Sequence, residues 1–137
     1  MIREIVKDPL LLSRKSEPAA KDDIKTAQDL LDTLIANAEH CVGMAANMIG
    51  ECKTIMAVQL GRKYEVLINP AVVSFSGEKY TTEEGCLSLT GVRSTERYPA
   101  VTVEYLDMKF RPKKRTFRGF EAQIVQHELD HFEGRII

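Results

Sequence analysis

The chain has 137 residues, 44% of them hydrophobic and 28% charged. That composition fits one globular domain over residues 1–137 with a core of its own, and it argues against a disordered chain. Nineteen Lys and Arg against 20 Asp and Glu leave a net charge of −1, so no global basic surplus is present to hold a phosphate backbone, and nucleic-acid binding is not expected.

Residues 1–20 carry scattered charges, with Pro9 and Pro18 and no sustained period. This segment is expected to be an irregular arm packed on the domain, with at most a short strand. It lacks the apolar core of a signal peptide, and no window of the chain reaches transmembrane length. A cytoplasmic protein without membrane contact is therefore expected. The three cysteines, Cys41, Cys52 and Cys86, form no C-x-x-C and no even set, so they do not describe a disulfide framework.

From about Asp22 a helical period begins. Ala27, Leu30, Leu31, Leu34, Ile35 and Ala38 fall on one face, the pattern of an amphipathic helix, and Asp22 or Asp23 can cap it. Cys41–Gly50 reads CVGMAANMIG, small residues that let a backbone pass close to a ligand or another segment. Thr54–Leu60 and Tyr64–Ile68 predict two strands of a hairpin turning at Gly61-Arg62-Lys63. Asn69-Pro70 is expected to end the second, and Ala71–Phe75 is a further short β-branched run. Val101, Val103 and Tyr105 alternate with Thr102, Glu104 and Leu106, and Lys113–Phe117 can return as their antiparallel partner. A final helix is predicted over Phe120–Glu133, stopped by Gly134. Helix, antiparallel strands, helix is an α+β fold.

The last helix contains His127-Glu128-Leu129-Asp130-His131. Positions 127 and 131 lie one turn apart, so two imidazoles can grip one divalent ion, and Glu128 beside them can serve as a general base. Phe120 and Ile124 continue the same stripe, which points the pair inward. His40, at the end of the first helix, is a weaker candidate ligand. A catalytic ion needs a third protein ligand. Only six residues follow His131, and Glu133 points away around the helix, so the ligand comes from upstream. Cys86 is the candidate, within Glu83-Glu84-Gly85-Cys86-Leu87-Ser88-Leu89; a thiolate suits zinc or ferrous iron. The alternative for Cys86 is a small buried core residue, and Cys41 and Cys52 read mostly as core.

With Glu84-Gly85-Cys86-Leu87-Ser88 and Gln126-His127-Glu128-Leu129-Asp130-His131 both present, the chain resembles peptide deformylase over roughly residues 22–135. That family's motifs E-G-C-L-S and Q-H-E-x-D-H stand intact. Its first motif, G-x-G-x-A-A-x-Q, is altered to Cys41-Val42-Gly43-Met44-Ala45-Ala46-Asn47-Met48. The resemblance implies antiparallel strands around a metal-binding helix, with one further helix N-terminal to them. It implies an amidohydrolase that removes the formyl group from N-formylmethionyl peptides or nascent chains. It further implies Cys86, His127 and His131 as metal ligands, Glu128 as general base and acid, and the Leu87 amide as an oxyanion donor. Val42 and Gly43 match the strip beside the substrate backbone, and Glu84 and Arg93 match an acidic–basic pair near the site. The family commonly uses Fe2+, exchangeable for Ni2+, Co2+ or Zn2+. At position 48 the family's glutamine also donates to the oxyanion; Met48 has no donor, which implies a reduced rate. Losing that donor leaves a second reading open: a metal-binding relative with little activity that works by binding peptides or partners.

Overall fold

The computed structural model describes residues 1–86 and 89–135. Its elements follow the order α1 (Pro9–Leu12), α2 (Ile24–Ala36), β1 (Gly43–Ala45), β2 (Ile55–Leu60), β3 (Lys63–Ser76), β4 (Tyr80–Cys86), β5 (Leu89–Arg97), β6 (Ala100–Leu106), β7 (Pro112–Arg118) and α3 (Gly119–Phe132). Turns of 3₁₀ helix precede α2 at Lys21–Asp23 and follow β1 at Ala46–Ile49. Among the described residues, five strands form an antiparallel sheet ordered β1-β2-β3-β6-β7, while β4 and β5 pair only with each other. This is the α+β architecture expected from the sequence. No described helix is long and apolar enough to cross a membrane.

The larger sheet divides the core in two. Along β2, Ile55 and Ala57 belong to one buried cluster and Met56, Val58 and Leu60 to the other, because successive side chains leave opposite faces of a strand. The first cluster is closed by Leu12 of α1 and by Ala27, Leu30 and Leu34 of α2. The second is closed by Ala122, Ile124, Val125 and Phe132 of α3. A continuous apolar run such as Ile55–Leu60 is what a strand covered on both sides requires.

Four local expectations are corrected. The buried stripe of α2 is Ala27, Asp29, Leu30, Thr33 and Leu34, with Ile35 exposed. The N-terminal arm rotates it: the Arg3 amide donates to Thr33 Oγ1 at 2.9 Å, and its guanidinium meets Asp29 at 3.3 Å. The arm itself holds a short helix. Asp23 caps the 3₁₀ turn before α2, accepting from the Ala20 amide at 2.8 Å, and makes no side-chain cap on α2 itself. Asn69-Pro70 does not end its strand. Asn69 adopts φ +51°, the register with β6 shifts between Ile68 and Ala71, and β3 continues to Ser76. The pairing of β3 with β2 stops at Ile68, so the missing proline N–H removes no ladder bond on that side.

Helix α3 ends as predicted. Gly134, at φ +75°, donates to His131 O and Arg135 to Asp130 O, both at 3.1 Å. These paired bonds form a Schellman motif. A Cβ on Gly134 would stand 2.2 Å from Ser13 O, so glycine also admits the N-terminal arm.

Candidate metal centre and cavity

Helix α3 turns Ile124, Val125, His127, Glu128 and His131 into the protein, all of them buried. Strand β1 lies against this face. A Cβ on Gly43 would stand 2.7 Å from Ile124 Cγ2 and 2.9 Å from Glu128 Oε2, so the close approach needs glycine. Two amide side chains fix the helix. Asn47 donates to His131 O at 3.1 Å. Gln126 accepts from the Tyr98 amide at 2.9 Å and donates to Tyr98 O at 2.8 Å. The glutamine that precedes His127 therefore ties α3 to the segment between β5 and β6.

Cys86, at the end of β4, joins the two histidines. Its Sγ lies 3.4 Å from His131 Nε2, and the two Nε2 atoms lie 3.1 Å apart. One ligand atom from each of the three falls within 4.8 Å of the others. Metal–nitrogen bonds of about 2.0–2.1 Å and a metal–sulfur bond of about 2.3 Å give tetrahedral edges of roughly 3.3–3.6 Å. Donor type and spacing thus both fit one divalent ion. The remaining ring nitrogen of His127 agrees with this, whereas His131 Nδ1 is buried with no partner among the described residues. His127 Nδ1 donates to Glu84 Oε1 at 2.8 Å, which turns its Nε2 toward the other two donors. Burial works to lower this imidazole, but Cys86, Glu128 and Glu84 outweigh it and bring it up to about 10, so an ion bound there takes the place of a proton. Burial pushes His131 down to about 3, the neutral state a ligand needs.

Glu84 is itself held. Arg97 donates to its two oxygens at 2.7 and 3.0 Å and to Asp130 Oδ2 at 2.7 Å. Burial works to raise the Glu84 carboxyl, but His127 and Arg97 outweigh it and bring it down to about 2. The buried pair of Glu84 is therefore with Arg97. Arg93 is its neighbour across the β4–β5 ladder but makes no ion pair with it among the described residues. Instead, Arg93 Nη1 is buried without a partner among the described residues. Arg97 was not singled out from the sequence. Arg93, Thr95 and Arg97 share one strand face, and nothing in the spacing says which arginine turns to Glu84. Asp130, inside the helical motif and half-buried, was the available signal, because an acid taken partly out of water calls for a cation.

Glu128 is buried beside the ligands. Its Oε1 has no partner among the described residues, and burial pushes the carboxyl up to about 7. A cavity of about 490 Å³ opens over this group, lined among others by Val42, Gly43, Glu84, Gly85, Cys86, His127 and Glu128. Ile124 is buried in its wall, whereas Phe120 is exposed at its mouth. His40 also sits on the rim, exposed. Cys41 is half-buried there and also packs against the first core cluster, donating to Gly43 O at 2.8 Å; burial pushes its thiol up to about 12. Cys52 is half-buried. Met48 does not line the cavity and packs in the core cluster against α2. The Leu87 amide lies outside the described residues.

The model of the polypeptide deformylase family matches residues 2–137. This chain belongs to the peptide deformylase family. A peptide deformylase of Clostridium beijerinckii is 54% identical over 137 residues, the full length of both chains. Another, from Dictyoglomus thermophilum, is 38% identical, covering all of this chain and 91% of its own. The fold superposes on a class I type b peptide deformylase from Acinetobacter baumannii bound to Met-Ala-Ser, with a TM-score of 0.88 and 27% identity over 99% of this chain and 97% of that one. The full-length likeness to deformylases does not favour the reading of a relative that only binds.

Proposed function

We propose that this deformylase hydrolyses the formyl amide of N-formylmethionyl peptides and nascent chains in the cytoplasm, with one divalent ion held by Cys86, His127 and His131. The carrying observation is the convergence of those three donors with the buried Glu128 carboxylate under one cavity. Ferrous iron is the native ion in this reading, with zinc, nickel or cobalt as substitutes. When bound, the ion supplies Lewis acidity and makes water acidic enough to attack near neutral pH.

The chain's own residues do the rest. Glu128 Oε takes the proton of the attacking water and returns it to the departing amine nitrogen. A carboxyl near 7 is well matched to both transfers. Glu84, pinned by Arg97, holds His127 in its ligating tautomer. The Val42–Gly43 strip runs along the outer edge of β1, the end strand of its sheet, where an extended peptide can lie. Arg93 is assigned to the peptide further along, through the exposed part of its half-buried side chain, since its Nη1 is buried. The Leu87 amide is assigned to the developing oxyanion. Met48 adds no donor there, so the chemical step is slower than in a glutamine-bearing relative.

The test is release of formate from formyl-Met-Ala-Ser by protein loaded anaerobically with iron. Turnover that disappears with a chelator supports the reading. Metal-loaded protein that releases no formate overturns it.

A further inference from the structure

Helix α3 carries one neutral hydrogen-bonding side chain into the cavity, Gln123, which no catalytic role above uses. It lies one turn before His127 and beside Ile124, with Phe120 at the mouth. The Tyr80 hydroxyl at the start of β4 donates to Gln123 Oε1 at 3.3 Å. That bond occupies the amide's acceptor. Its Nε2 makes no hydrogen bond among the described residues, so two N–H donors remain for the cavity.

The inference rests on the deformylase reading above. A formyl carbon placed beside Glu128 and His127 fixes where the adjoining side chain reaches. In methionine the sulfur stands roughly 5–6 Å from the formyl carbon by ordinary bond lengths. One turn of helix, about 5.4 Å, separates His127 from Gln123. We propose that Gln123 Nε2 donates to the thioether sulfur of the substrate's methionine, with Tyr80 as the positioning residue that orients the amide. An apolar wall of Ile124 and Phe120 alone measures size and separates methionine poorly from norleucine, its sulfur-free isostere. A donor aimed at the sulfur distinguishes them, because norleucine leaves the amide unpaired.

The experiment compares formyl-Met-Ala-Ser with formyl-norleucine-Ala-Ser on the metal-loaded protein. The native chain is expected to show a KM about threefold to tenfold lower for the methionine peptide, the scale of one weak hydrogen bond. In Gln123→Leu the ratio falls to about one, through a higher KM for the methionine peptide. Gln123→Glu keeps the length and removes the donors, and it loses the ratio as well. Tyr80→Phe retains only part of it. Circular dichroism and metal content establish that each variant is folded and loaded. Equal KM values in the native chain, or a methionine preference that survives Gln123→Leu, overturn the proposal. If neither peptide is hydrolysed, the deformylase reading falls. The sulfur contact is then judged by calorimetry with the unformylated peptides on zinc-loaded protein, where the same ratio of affinities supports it and equal affinities overturn it.

Discussion

Glu128 and Met48 are single side chains that bear on rate in opposite ways. Glu128 has no part in the triad of donors and sits beside it with one oxygen unpartnered. Glu128→Gln is therefore expected to retain about one metal ion per chain and to lose at least roughly 10² in kcat, the lower range for one general acid–base group. Metal analysis beside steady-state kinetics checks it, and near-native turnover would assign water activation elsewhere. Met48 is buried in the cluster with Leu30, Leu34 and Ile55. An amide at that position either turns toward Cys86, which packs against the same cluster, or is left unpaired in apolar surroundings. Met48→Gln is expected to raise kcat for a formyl-Met peptide by up to roughly 10²-fold, the scale of one oxyanion donor, with little change in KM. The same change is expected to lower stability by about 1–3 kcal/mol. With metal content matched, a Met48→Gln protein no faster than the native chain would show that the missing amide is not limiting.

At the scale of elements, the chain Asp130–Arg97–Glu84–His127 joins the β4–β5 ribbon to α3 through hydrogen bonds of 2.7–3.0 Å. Removing its cation leaves the buried Glu84 carboxylate without its arginine, while half-buried Asp130 keeps Arg135 at 3.3 Å; breaking a buried pair in this way is strongly destabilising, about 3–5 kcal/mol. Arg97→Leu is expected to lower the melting temperature and weaken metal retention together, whereas Arg93→Leu leaves metal content intact and raises KM for longer peptides. The end of α3 is closely packed as well. At φ +75° and 2.2 Å from Ser13 O, Gly134→Ala is expected to cost more than about 1 kcal/mol in urea unfolding, beyond the usual penalty for a left-handed residue. Helix α3 and its ligands were legible because the 127/131 spacing and the apolar stripe share one period, and Gly134 marks the stop. The ribbon was not. Strand β4 reads YTTEEGC, with polar residues on both faces, so no alternation announces it. The continuation of β3 past Pro70 was hidden for another reason: which edge of a strand is unpaired is a property of the sheet, not of the segment.

Across the whole molecule, the proposed metal joins two parts that backbone pairing leaves separate. Cys86 belongs to the two-stranded ribbon, whereas His127 and His131 belong to the helix packed on the five-stranded sheet. An ion bound by all three ties residues 45 positions apart in sequence and exists only in the folded chain. It must therefore stabilise that chain by mass action: free metal at a hundredfold excess over its dissociation constant contributes about 2.7 kcal/mol. For a domain of this size that corresponds to a shift of roughly 5–15 °C in melting temperature. Chelation of the loaded protein is expected to produce a fall of that order, with the amides of β4 and β5 losing more hydrogen-exchange protection than those of β2. Cys86→Ala removes the ribbon's ligand and leaves the helix pair in place. Its melting temperature should match that of the chelated native protein and should not respond to added metal. A chelator shift of native size in Cys86→Ala would mean that the ion is held without the ribbon, and the third ligand would have to be sought elsewhere in the cavity.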